Sequence, residues 1–181
     1  MAIYISLLRG INVSGKKIIK MADLRAIYQA LQFDNVQSYI QSGNVVFHSK
    51  NDDCQHLEQQ IKQAIFQHYQ FDVPVFVLTP ETLMNAKNNL PFKDVNVESE
   101  GSKILLCFLS RTPENSIDLL TPYLKSNEKL YITGNVLYLY CQDGFGKSKL
   151  THSNIEKKLQ VNATSRNLKT IDKLLTMVNS N

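Results

Sequence analysis

The sequence predicts an α+β chain built from two ferredoxin-like halves of βαββαβ type, with mainly antiparallel sheets covered by helices. Three observations lead there. Residues 1 to 78 alternate strand, helix, strand, hairpin, strand, helix and strand patterns in the order of that fold. A second round of the same kind begins at residue 103. The hairpin Leu130-Tyr131-Ile132-Thr133-Gly134-Asn135-Val136-Leu137-Tyr138 also echoes Tyr39-Ile40-Gln41-Ser42-Gly43-Asn44-Val45-Val46-Phe47, which points to an internal duplication.

The elements follow from local chemistry. Residues 2 to 8 are a short apolar, partly β-branched run ending at Arg9-Gly10, as in a buried strand. Met21, Leu24, Ile27, Tyr28 and Leu31 recur at helical spacing, so residues 21 to 31 form an amphipathic helix. Residues 35 to 41 and 44 to 49 flank Ser42-Gly43-Asn44, where glycine admits a tight hairpin. Asp52 or Asp53 caps a helix whose inner face is Leu57, Ile61, Ala64, Ile65 and His68, and residues 74 to 78 are the next strand.

Thr79-Pro80-Glu81 opens a further helix that gives out by Pro91, and the polar stretch Lys93 to Ser102 reads as a linker. The chain thus divides into residues 1–78, a helix with linker over 79–102, and a second half over 103–181. In that half a strand runs from Lys103 to Leu109, Thr112-Pro113-Glu114 starts a helix that Pro122 ends, and a hairpin follows. A helix over 153–160 has Ser153 and Glu156 at capping-box spacing. Thr164-Ser165-Arg166-Asn167 then caps a last helix, which stands where a final strand would complete the pattern.

With 181 residues and 43% hydrophobic content, the chain can bury one sizeable core or two small ones. No apolar run is long enough to span a bilayer, and the opening Met1-Ala2-Ile3-Tyr4 lacks the basic region, apolar stretch and cleavage site of a signal peptide, so a soluble, unexported protein with no membrane partner is expected. Cys54, Cys107 and Cys141, odd in number and widely spaced, suit reduced thiols in the cytoplasm. The four histidines have no zinc-finger spacing, so neither a metal nor a cofactor is expected.

The net charge of +4 matters less than its distribution. Residues 1 to 22 carry Arg9, Lys16, Lys17 and Lys20 and no acid. Residues 144 to 181 carry seven cations, Lys147 and Lys149 among them, against Glu156 and Asp172. Both ends are therefore basic and the middle acidic.

In a ferredoxin-like sheet the first and third strands are antiparallel neighbours, which places the loop from Arg9 to Lys17 beside the Gln41-Ser42-Gly43-Asn44 turn. That rim gathers Arg9, Asn12, Lys16, Gln41, Ser42 and Asn44 with no carboxylate among them. A second anion cradle is read at Lys147, Ser148 and Lys149, with Arg166 and Asn167 near in sequence. Gly144-Phe145-Gly146-Lys147-Ser148 resembles a nucleotide P-loop only in part, because Cys141 stands where that motif requires glycine. No serine or cysteine is paired with histidine at a motif spacing. An RNA-binding sheet would expose Tyr4, Phe47, Tyr138 and Tyr140, but residues 104 to 109 and 135 to 141 are apolar on both faces, as in a sheet covered on both sides.

Four of these stretches, Leu8-Arg9-Gly10-Ile11-Asn12-Val13, Gln41-Ser42-Gly43-Asn44-Val45, Ser148-Lys149-Leu150-Thr151 and Thr164-Ser165-Arg166-Asn167, occur in an order that resembles the bacterial domain of unknown function 1697 family. The chain departs from that pattern at Ser14 and Gln32, where glycine is usual. The resemblance implies a two-subdomain α+β protein of the bacterial cytoplasm and assigns no activity. On the residues themselves, the expected function is binding of a phosphorylated or other anionic small molecule at the basic rim. The alternatives are a group-transfer enzyme using that pocket, or a nucleic-acid-binding protein; oligomeric state is not legible.

Overall fold

The computed structural model of the chain describes residues 1–180. Its contacts divide it into two units, Met1–Met84 together with the stretch from Lys173 onward, and Asn85–Asp172. Each holds a four-stranded antiparallel sheet with helices, so the chain is α+β with two similar halves. Among the described residues no helix is long and apolar enough to cross a membrane.

In the first unit the chain runs β1 (Ala2–Leu8), α1 (Met21–Ala30), β2 (Asp34–Tyr39), β3 (Asn44–Ser49), α2 (Cys54–Tyr69), β4 (Val75–Leu78) and into α3 (Pro80–Asn88). The sheet order is β2-β3-β1-β4. Alternation along the strands sends Tyr4, Leu8, Val45, Phe47, Val75 and Val77 to one core with Leu24, Tyr28, Leu57 and Ile61 of the helices. Tyr28 is fully buried and shares a 2.7 Å hydrogen bond with Ser6, which satisfies both hydroxyls inside that core. Ile5, Leu7 and Val46 on the opposite face are also wholly buried, which agrees with the apolar, unalternating strands of the sequence.

The second unit takes the end of α3, a short helix α4 (Val97–Glu100), β5 (Ile104–Leu109), a 3-10 helix at Ile117–Tyr123, β6 (Glu128–Thr133), β7 (Val136–Cys141), α5 (His152–Leu159), β8 (Ala163–Asn167) and the start of α6 (Leu168–Asn179). Its sheet order, β6-β7-β5-β8, repeats the connectivity of the first. Residues 164 to 167, read from sequence as a capping turn, therefore belong to the missing last strand, β8. It pairs antiparallel with β5 from Leu105↔Asn167 to Leu109↔Ala163. The polar sequence hid this because Thr164, Ser165 and Arg166 make a buried strand without aliphatic side chains.

Other local expectations shift. The helix expected from Thr112 is a 3-10 helix capped by Ser116, whose Oγ accepts the Asp118 amide at 3.1 Å. The cap of α5 is Thr151, not Ser153, and Glu156 instead accepts the Ala163 amide at 2.9 Å. Glu58 on α2 likewise accepts the Val77 amide at 2.8 Å. β4 and β8 are sheet edges, so in each unit a glutamate occupies an outward strand amide that would otherwise lie open.

The polar stretch expected as a linker is packed on the sheet of the second unit: Tyr140 donates to Glu100 at 3.0 Å and Asp94 pairs with Lys129, while ahead of the stretch Tyr138 donates to the Ala86 carbonyl of α3 at 2.9 Å. The two hairpins that look alike in sequence are built differently. Thr133 pairs with Val136 across the two-residue loop Gly134-Asn135, whereas Tyr39 pairs with Asn44 across the four residues Ile40 to Gly43.

Candidate functional site

The loop after β1 doubles back on itself. The Lys16 amide donates to the Val13 carbonyl at 3.0 Å and the Asn12 amide to the Lys17 carbonyl at 3.1 Å, which leaves Ser14-Gly15 at the tip. The expectation that this loop meets the first hairpin holds: the Leu8 amide donates to the Gly43 carbonyl at 2.8 Å, and Asn12 Nδ2 donates to the Gln41 carbonyl at 2.8 Å. Gly43 makes the approach feasible, because a Cβ there would lie 2.6 Å from Leu8 Cβ and 2.8 Å from Ile11 Cδ1.

The candidate residues of this rim divide into scaffold and surface. Asn12 Nδ2 also donates to the Ile19 carbonyl at 2.9 Å, while its Oδ1 accepts the Ile19 amide at 2.9 Å. Asn44 is buried and donates to the Tyr39 carbonyl at 2.9 Å and to Ser42 Oγ at 3.0 Å. Both carboxamides are thus engaged in shaping the loop and the turn. Lys16 and Gln41 are exposed, while Arg9 and Ser42 are half-buried. Lys17, half-buried, donates through Nζ to the Asp72 carbonyl at 2.5 Å, and the Asp72 carboxylate pairs with Lys62 at 3.0 Å. Residues 9 to 20 and 40 to 44 together hold four cations and no acid.

In the second unit, Lys147 closes a 3-10 turn at Phe145–Lys147, and it and Lys149 are exposed. Ser148 Oγ accepts the Leu150 amide at 3.1 Å. Arg166 is not on a loop: it is buried within β8, donating to the Ser165 carbonyl at 2.8 Å and to Thr164 Oγ1 at 3.3 Å, and burial depresses its pKa to about 10. Asn167 Oδ1 accepts the Thr170 amide at 2.9 Å and so caps α6.

A pair absent from the sequence-based site stands beside these residues. His152 Nε2 and Ser165 Oγ are 2.7 Å apart at a cavity of about 220 Å³ lined also by Leu105, Phe145, Ser148 and Leu150. The signal for it was faint: His152 follows Ser148-Lys149-Leu150-Thr151 directly and Ser165 lies in Thr164-Ser165-Arg166-Asn167, so two of the recognised motifs converge on one cavity.

The four rings considered for base stacking, Tyr4, Phe47, Tyr138 and Tyr140, are all buried.

Comparison with known proteins adds a family. No curated protein matches the chain. Among solved structures, the conserved bacterial protein SP0830 from Streptococcus pneumoniae is 26% identical, with a TM-score of 0.66 over 97% of this chain and 98% of that one. Residues 1–138 match the model of a protein of unknown function, DUF1697. That match takes in the opening loop and both hairpins, and the chain belongs to the DUF1697 family.

Proposed function

We propose that this is a binding protein of the bacterial cytoplasm, its two ferredoxin-like halves derived by duplication, and that the rim of the first unit holds a phosphorylated or otherwise anionic ligand. The observation that carries the reading is the junction of the opening loop with the β2-β3 turn, where Arg9, Lys16, Lys17 and Lys20 occur without a carboxylate. Anions gain from such a field because nothing in the two segments cancels it. Arg9 and Lys16 supply charge, Gln41 and Ser42 supply polar contacts, and Asn12 and Asn44 hold the two segments in register. Lys147 and Lys149 give the second unit a cationic loop of its own.

A thermal-shift series with inorganic phosphate, pyrophosphate and nucleotides tests this. At least one anion should raise the melting temperature, and Arg9→Ala with Lys16→Ala should remove most of the shift. Retention of the full shift in that double variant, and again in Lys147→Ala, would reject the rim as the binding site. A salt-insensitive response would do so too, since exposed charge pairs are screened.

The His152–Ser165 pair favours a second reading, a group-transfer enzyme. A hydroxyl within 2.7 Å of an imidazole nitrogen is the arrangement that activates a nucleophile, and here it faces a cavity large enough for a small acyl or phosphoryl group. Labelling by a fluorophosphonate that disappears in Ser165→Ala supports this reading. Labelling indifferent to Ser165→Ala and His152→Gln removes it.

A further inference from the structure

The same rim shows a feature that a small anion does not explain. Its loop contains four aliphatic residues of two kinds: Ile11 and Ile19 are each 2% exposed and pack into the core of the first unit, whereas Val13 is 58% and Ile18 54% exposed. Ile40 in the adjoining turn is 50% exposed. Asn12 ties these segments together, since one nitrogen reaches both the Ile19 and the Gln41 carbonyls, the residues next to Ile18 and Ile40.

Ile40 is also held at φ 50, a left-handed conformation that a β-branched residue rarely adopts. Asparagine or glycine would sit there at less cost, and an exposed side chain returns nothing to the core for that cost. Exposed Lys16 and Lys20, with the partly exposed Arg9 and Lys17, accompany the three aliphatic tips.

We infer that this rim docks on the surface of an anionic lipid bilayer, with Val13, Ile18 and Ile40 entering the acyl boundary and the lysines lying among the headgroups. The inference rests on the proposed anion-binding character of the rim and names its partner. Charge complementarity calls for a negative partner, and the aliphatic tips call for one with an apolar layer beneath the charge. Nucleic acid and free phosphate meet the first requirement alone. Lysine stems can run along apolar surface while their ammonium groups remain in the headgroup layer. The expectation of no membrane partner came from the lack of a spanning run, and surface docking requires none.

The test is co-sedimentation of the full chain with vesicles of equal parts phosphatidylcholine and phosphatidylglycerol, against vesicles of phosphatidylcholine alone. Binding should require phosphatidylglycerol and weaken with salt. The combined variant Val13→Ser, Ile18→Ser, Ile40→Asn should lose about tenfold or more in partitioning, given the apolar area withdrawn, yet keep any thermal shift with phosphate or pyrophosphate. Ile40→Asn alone should bind vesicles less while melting at the same or a higher temperature, an outcome that a packing role for Ile40 would not produce. Vesicle binding that is unchanged in the aliphatic variant overturns the inference, as does self-association in sedimentation that the aliphatic variant abolishes, which would make a second copy the occupant. If soluble anions bind and vesicles do not, the lipid inference fails and the anion-binding reading stands; if neither binds, both fail.

Discussion

Asn12 Nδ2 lies 2.8 Å from the carbonyl oxygen of Gln41, twenty-nine residues further along the chain. With its two bonds to Ile19, that carboxamide fastens the opening loop to itself and to the β2-β3 turn. Asn12 has φ 55, a conformation asparagine tolerates better than most residues, so backbone and side chain both favour this residue here.

Replacing Asn12 by alanine removes three hydrogen bonds, each with a net contribution of about 1 kcal/mol. Asn12→Ala should lower unfolding stability by about 2–4 kcal/mol, and Asn12→Asp should lose a comparable amount because an acceptor would face two carbonyls. Urea unfolding measures both. A loss within about 0.5 kcal/mol, ordinary for surface substitutions, would mean the carboxamide does not anchor the loop.

Gly43→Ala and Gly10→Ala share a positive φ, 77 and 72, but differ in surroundings. A Cβ at Gly10 meets nothing within 4 Å, so only the backbone cost of about 1 kcal/mol applies. At Gly43 the clash with Leu8 Cβ adds about 1–3 kcal/mol of overpacking. Denaturant midpoints should therefore order wild type, Gly10→Ala and Gly43→Ala from most to least stable. Equal midpoints for the two variants would contradict the close approach of the loop and the turn.

Gln32 follows α1 at φ 62, and Ser14 sits at φ 50. These are the two positions at which the resemblance drawn from the sequence implies glycine, and both are left-handed. Gln32→Gly should stabilise the chain by about 0.5–1 kcal/mol, the strain relieved exceeding the entropy glycine adds to the unfolded state. A melting temperature that falls would show that the Gln32 side chain contributes more than its backbone costs.

Burial above all, with nearby Glu128 in the same direction, pushes the Cys141 thiol up to about 12. In the unfolded chain a thiol ionises near pH ~8.5–9. Between those values the unfolded state has released a proton that the folded state keeps, so stability falls as pH rises through this window and is level below it. Urea midpoints should drop from neutral pH to about pH 10, and Cys141→Ala should remove part of that slope. Tyr28 is raised by burial and acts in the same direction at the upper end. Iodoacetamide should leave Cys141 unmodified in the folded protein at mildly alkaline pH, since the thiolate is the reactive form.

The same local rules that predict each element explain where prediction from sequence stops. Alternating or continuous apolar runs, capping hydroxyls and the order of the segments were enough for an α+β chain with two similar halves and doubly covered strands, because those signals reside in neighbouring residues. They were also enough to place the Arg9–Lys17 loop beside the first hairpin, since adjacency of β1 and β3 follows from topology. Tertiary structure decided the rest. β8 became a strand because Thr164, Ser165 and Arg166 are buried against β5, which their polarity does not announce. Two hairpins with similar sequences acquired loops of two and four residues because the Asn44 carboxamide spans the wider one. Asn12 and Asn44 turned inward as scaffold while Val13, Ile18 and Ile40 turned outward, and His152 met Ser165 across thirteen positions. In irregular loops no periodicity says which way a side chain points, so only the contacts between distant segments can determine it.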